Sequence, residues 1–289
     1  MKETFKHIRF RPETLALIAQ CNEIVTDYQA QDLKLTLRQL YYQLVAANQI
    51  PNHDRAYKNL SRRLTDARMA GLVDWQAIED RNRVPSIPQT WGSLLHGIGV
   101  YADVLQLDHR ADQPNYFEVW VEKAALAGVL EPLTEQHQVP LVVQKGYGST
   151  TALKNAADRF KKHSSQEGHV LYLGDHDPSG EDMVRDVRER LAEMGAQVEV
   201  CKLALTRVQV DRYQLPPNPT KTTDSRAEKY SAKHGAGSWE LDALPPAVLR
   251  ELVEAEVDSL TDQGRRDEVR AREGEERERL RTALEAVAP

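Results

Sequence analysis

The chain has 289 residues, 28% of them charged and 40% apolar, which is the make-up of a globular protein long enough to hold a sizeable core in two domains. No apolar run reaches membrane length, the polar start MKETFKHIRF lacks a secretory core, and Cys21 and Cys201 stand far apart with no histidine cluster; these features speak against a membrane span, a disulfide framework and structural zinc, and predict a cytoplasmic protein. The net charge of −6 is uneven, because residues 1–90 carry 13 Lys/Arg against 10 Asp/Glu, a balance of +3 that leaves −9 for the rest. A weakly basic front and an acidic back suit a nucleic-acid grip joined to a metal centre, and equally a protein–protein module.

The first element is a helix from Pro12, a residue the first turn tolerates, with Leu15, Ile18, Cys21 and Val25 at helical spacing to about Tyr28. Thr36 followed by Gln39 is a capping-box pattern that opens a second helix from Leu37 to about Ala47. Its apolar stripe is Leu37, Leu40, Tyr41 and Leu44, and Tyr42 lies beside that stripe one turn after Arg38. Tyr41 is expected in the core. Tyr42 has two readings: an amphipathic surface or interface tyrosine, or a nucleophile toward phosphorus with Arg38 as the neighbouring cation. A third helix over 54–70 turns Ala56, Leu60, Leu64 and Ala67 inward and spreads Arg55, Lys58, Arg62 and Arg63 over its outer flanks. Either a solvated face or a phosphate-binding one fits that pattern. Leu72–Ile78 is read as a short wing-like or strand element, so that 1–85 resembles a winged-helix or helix-turn-helix module.

Residues 86–115, broken by Pro88, Gly92, Gly97 and Gly99, form a connector with one short helix. Beyond it, apolar runs alternate with helical patterns. Tyr116–Val121 is a strand ending at Glu122-Lys123, Val139–Val143 is the next, His169–Leu173 the third and Gln197–Cys201 the fourth. Short continuous apolar strands with intervening helices imply right-handed crossovers and a mostly parallel, Rossmann-like sheet, so the fold class is α/β. Glu122, Asp175 and Asp177 then fall at strand carboxyl ends, where open α/β sheets place their chemistry. Asp175 and Asp177 are two apart on an extended segment, so their carboxylates lean the same way and repel unless a hard cation such as Mg²⁺, or Mn²⁺ in its place, joins them. An isolated Asp-x-Asp is also consistent with a solvated turn opening a helix. Gly148 and Ser149, in the Lys145-Gly146-Tyr147-Gly148-Ser149 turn, offer N–H groups and a hydroxyl to a phosphate, and Lys123 is either a salt-bridge partner or a phosphate contact. The unit runs over 116–260, with a charged tail helix, solvated or frayed, at 261–289.

Glu122, the Gly146–Ser149 turn and Asp175-x-Asp177-Pro178-x-Gly180 together resemble a Toprim domain, the metal-binding α/β module of topoisomerases, primases and related nucleases. Thr36-Leu37-Arg38-Gln39-Leu40-Tyr41-Tyr42 resembles the catalytic-tyrosine motif of the topoisomerase VI A subunit and the related meiotic double-strand-break protein, whose last position supplies the attacking residue. Ala204-Leu205-Thr206, Leu215-Pro216 and Lys221-x-x-Asp224-x-Arg226 resemble that family's segment after the Toprim domain, so the resemblance covers most of 30–245. It implies Mg²⁺-dependent cleavage of double-stranded DNA by Tyr42, Arg38 on the phosphate, and Glu122, Asp175 and Asp177 as metal ligands, with Glu122 alternatively moving a proton. It also implies a homodimer in which Tyr42 of one subunit meets the metal site of the other. Gln39 stands where the family has an acidic residue, and no ATPase region is recognisable, so strand passage would need a separate ATPase subunit. The residues leave two rivals open: a hydrolytic nuclease in which Tyr42 is structural, and a non-catalytic DNA-binding subunit. RNA is a further substrate that such phosphate chemistry would accept.

Overall fold

The computed structural model describes residues 1–31, 33–79, 87–219, 227–235 and 237–287. Residues 80–86, at the junction of the front module and the connector, and the motif residues Lys221, Asp224 and Arg226 lie outside the described residues.

Helices α1 (Pro12–Gln29), α2 (Leu37–Ala46) and α3 (Asp54–Met69) come first. The capping box at α2 is formed as its sequence predicts: Thr36 accepts from the Gln39 amide and the Gln39 side chain accepts from that of Thr36. Leu35, Leu40 and Leu44 are completely buried between these helices, where a truncation to Ala costs about 2–5 kcal/mol. Residues 72–78 do not form the expected wing strand: they run as turns, with a single parallel bridge from Ile78 to Leu35. The reason is local. The Arg68 guanidinium lies 4.5 Å over the Trp75 ring and donates to the carbonyls of Trp75 (2.9 Å) and Ile78 (3.4 Å), taking up acceptors that a strand partner would use.

The connector contains α4 (Leu94–Val104), after which β1 (Asn115–Val121), α5 (Ala124–Gln136), β2 (Leu141–Val143), α6 (Thr150–Lys162), β3 (Glu167–Leu173), α7 (Pro178–Glu193) and β4 (Glu199–Ala204) alternate. The result is a mixed α/β architecture in which N-terminal helices precede a four-stranded parallel sheet, ordered β2-β1-β3-β4. Beyond it lie α8 (Arg207–Arg212), a two-stranded pair β5 (Asn218–Pro219) and β6 (Gly237–Ser238), α9 (Ala227–His234), a 3₁₀ turn at Leu241–Ala243, α10 (Pro246–Ser259) and α11 (Gln263–Val287).

Alternation along the strands divides the core. Phe117, Val119, Val121, Leu171 and Leu173 face α5, α10 and the N-terminal helices, and form one cluster with them. Trp120, Val170 and Tyr172 face α6 and α7 on the other side. The front helices therefore share a core with one face of the sheet. Because β1 and β3 are neighbours and the helices after them leave to opposite faces, their carboxyl ends form a topological switch point. The charged tail is not fully solvated. Buried Glu273 accepts from His109 (2.9 Å) and from the Leu107 amide (2.8 Å), which fastens α11 to the connector.

Candidate functional site

Glu122 follows β1, and Asp175 and Asp177 follow β3. The Glu122 carboxylate accepts from the Asp175 amide at 3.1 Å, which ties it to the segment after β3 that carries Asp175 and Asp177. Gly174 makes this possible: a Cβ there would stand 2.6 Å from the Tyr172 ring and 3.0 Å from Glu122 Oε2. Asp177 caps α7, accepting from the Gly180 amide (2.6 Å) and the Ser179 hydroxyl (2.8 Å). With Pro178 as the first residue after the cap, the helix begins there rather than near residue 181. Gly180 is required as well, because a Cβ would lie 2.2 Å from the Asp175 carbonyl oxygen.

A second strand-like segment closes in from the C-terminal side. Trp239 exchanges backbone hydrogen bonds with His176 (2.8 and 2.9 Å), and the Leu241 amide donates to Asp175 Oδ1 at 2.7 Å. This brings Glu240 and Asp242 onto α2 and onto Lys123. Lys123 Nζ lies 2.8 Å from Asp175 Oδ1, 2.9 Å from Glu240 Oε2 and 3.0 Å from Asp242 Oδ2. The Arg38 guanidinium pairs with Glu240, and its Nε lies 3.2 Å from Asp242 Oδ2. Arg38 also stands 5.8 Å from the centre of the Tyr42 ring, one helical turn along α2. Tyr42 is 5% exposed and packs edge-on against Tyr41 at 5.2 Å.

One cleft of about 1040 Å³ in the chain is lined by Arg38, Tyr42 and Arg55 of the front helices together with Asp175, Asp177, Ser179, Asn218 and Glu240, whereas Glu122, Lys123 and Asp242 do not line it. The tyrosine and the aspartate pair, expected to meet across subunits, thus line the same intramolecular cleft. Arg63 borders a smaller groove of about 410 Å³ that also reaches Arg55. Lys58 and Arg62 are exposed and line neither. Gly148 and Ser149 also stand off the cleft: the Ser149 hydroxyl caps α6 by accepting from Ala152 N (3.1 Å), and the Gly148 carbonyl accepts from Arg190 (2.8 Å). Sequence reasoning missed the part of Glu240 and Asp242. The available signal was a pair of carboxylates inside the otherwise apolar run Trp239–Leu244.

The electrostatics are strained around the acids and quenched around the cations. Burial, then the Asp175 carboxylate, push Glu122 up to about 7. Burial also raises Asp175, against the pull of Lys123. Burial alone would lower Lys123 and Arg38, but the carboxylates around each outweigh it and hold both above their ordinary values. Burial and then Glu240 push the Tyr42 phenol up to about 12, opposed by Arg38. Glu122, Asp175 and Asp177 offer only oxygen donors, and the Glu122 and Asp175 carboxyls resist ionisation, which is the chemistry a hard divalent cation relieves. In the present arrangement, Asp175 Oδ1 is engaged by Lys123, and among the described residues no three His, Cys, Asp or Glu side chains are grouped to hold a metal ion.

The chain matches no protein-family model and no curated protein. Among the described residues, no helix is long and apolar enough to cross a membrane.

Proposed function

We propose that this protein cleaves duplex DNA by transesterification, with the Tyr42 phenol as nucleophile and a Toprim-like carboxylate centre acting on the same phosphate. The observation that carries the reading is that Tyr42 and the Asp175/Asp177 pair line one cleft, which Arg38 and its partner, the Glu240 carboxylate, also line. Attack forms a bond from the Tyr42 oxygen to phosphorus and breaks the bond to a sugar oxygen. The phenol proton is lost and the sugar oxygen gains one, so no water is consumed. Arg38 faces both the phenol and the cleft, where it stabilises the phenolate and orients the phosphate. Lys123 adds a second positive charge behind it. Glu122, with its carboxyl held near neutral pH, has the range of a group that exchanges a proton with a phenol or a sugar oxygen.

Glu122, Asp175 and Asp177 would hold Mg²⁺, or Mn²⁺, which when bound supplies charge stabilisation to the phosphoryl and leaving oxygens. Exposed Arg55, Lys58 and Arg62 and the half-buried Arg63 on α3 serve as backbone-phosphate contacts, giving salt-sensitive binding with little sequence preference. Two copies of the chain would cut the two strands of a duplex, and strand passage would require a separate ATPase subunit. The reading places the protein in the cytoplasm, on the nucleoid of a prokaryote.

One observation favours a second reading. A phenol buried to 5% exposure and pushed up to about 12 is also what a structural tyrosine looks like, and in that case water attacks and the protein is a hydrolytic nuclease. Tyr42→Phe separates the two. With plasmid DNA and Mg²⁺, the covalent reading predicts that protein trapped on DNA after denaturation vanishes and that cleavage falls by on the order of 10³-fold or more. Undiminished cleavage without trapped protein would establish hydrolysis.

A further inference from the structure

The proposed chemistry uses Arg38 and Lys123, yet both are already engaged by Glu240 and Asp242, two acids with different surroundings. The Asp242 side chain is 0% exposed and does not line the cleft; it lies within ion-pair distance of both cations, although neither meets hydrogen-bond geometry with it. A buried carboxylate held by charge alone is locked in place, because leaving the two cations would strand it without compensation. The Glu240 side chain is 27% exposed, lines the cleft, and reaches the same two cations from the solvent side.

The backbone on either side of Glu240 is pinned, through Trp239 to His176 and through Leu241 to Asp175. Only the side chain is left to move. It carries one negative charge and two acceptor oxygens, as does each phosphodiester of a nucleic-acid backbone. Exchanging one for the other leaves the charge around Arg38 and Lys123 unchanged, and both cations keep an acceptor.

We infer that Arg38 and Lys123 form a phosphate slot, built by Asp242 and filled in the free protein by Glu240, which a backbone phosphate displaces into the cleft. Glu240 therefore sets affinity and excludes small anions, while Asp242 sets the spacing of the two cations. The inference rests on the cleft being a nucleic-acid site, but it does not depend on Tyr42 reacting.

The test is binding in EDTA at low salt, with inorganic phosphate and a short DNA duplex as separate probes, read by calorimetry and fluorescence anisotropy. Glu240→Gln removes the competing charge and is expected to tighten both ligands by about tenfold, equivalent to ~1.4 kcal/mol. Glu240→Asp, which keeps the charge but withdraws it by one methylene, is expected to tighten both by less, and it serves as the reporter should the Gln variant not fold. Adding Arg38→Gln to either variant is expected to abolish the gain. Tighter phosphate binding with unchanged duplex affinity upholds the slot but removes nucleic acid as its ligand, and with it the reading of the cleft. Folded Glu240 variants whose phosphate affinity is unchanged or weaker overturn the slot itself.

Discussion

Buried Glu118 within β1 and half-buried Glu122 just past its end stand four residues apart, and the two carboxylate sites are built on opposite terms. Glu118 is 0% exposed and saturated: it takes two parallel bonds from Arg159 (2.7 and 2.8 Å), the Tyr116 hydroxyl (2.9 Å) and the Trp120 indole N–H (2.9 Å). At the carboxyl end of the strand, Glu122 accepts from the Asp175 amide, its carboxyl is raised, and the nearby cations are divided among Asp175, Glu240 and Asp242. Saturation is what a structural ion pair needs, since any unmet charge in the interior is costly. A carboxyl raised by burial and a neighbouring acid, beside a cleft, is the kind of environment that functional sites tend to share. The same strand supplies both, and the difference lies in what surrounds each end.

The largest expected effect breaks the saturated site. Glu118→Ala strands the Tyr116 and Trp120 donors and one face of Arg159, and should lower unfolding free energy in urea by about 3 kcal/mol, a value trimmed because Arg159 is partly exposed. A loss below half of that would mean the bonds at Glu118 are not what holds this corner of the sheet.

Glu122→Gln should do the opposite, in a pH-dependent way. The carboxyl stands at about 7 in the fold against an ordinary 4.5, so its ionisation costs the folded state, and that cost grows as pH rises from 4.5 through 7. In metal-free buffer, the variant should match the wild type near pH 4 and exceed it by ~2 kcal/mol at pH 8. Equal stability of the two proteins at pH 8 would show that Glu122 is as well satisfied as Glu118.

The smallest effect belongs to the exposed face of α3. Arg62→Gln should weaken duplex binding by a few fold, alike across sequences, and reduce the slope of log affinity against log salt by about 1. An unchanged slope would remove this helix from the DNA-binding face.

Much of the frame was legible from residues close in sequence. The Thr36–Gln39 capping box, the alternation of strands and helices, and the placing of Glu122, Asp175 and Asp177 at strand ends all depend on patterns a few residues long. What escaped depends on distant partners. Glu240 meets Arg38 and Lys123 from far along the chain, and although two carboxylates in the apolar run Trp239–Leu244 mark the segment, nothing local names their partners. The expected wing failed because the side chain of Arg68 claims the carbonyls at Trp75 and Ile78, a tertiary choice that β propensity does not express. Likewise, the charge pattern of α11 hid its one buried acid, Glu273, whose partners sit in the connector.

The proposed chemistry requires Tyr42 and the Asp175/Asp177 pair to act together within one chain, and mixing Tyr42→Phe protein with Asp175→Asn protein tests this most directly. Each variant lacks one half of the cleft. If the halves act within a chain, the equilibrated mixture should cut DNA no better than either variant alone, with wild-type cleavage as the reference. Recovery of a substantial fraction of wild-type cleavage would contradict it and place the tyrosine and the carboxylates on different subunits.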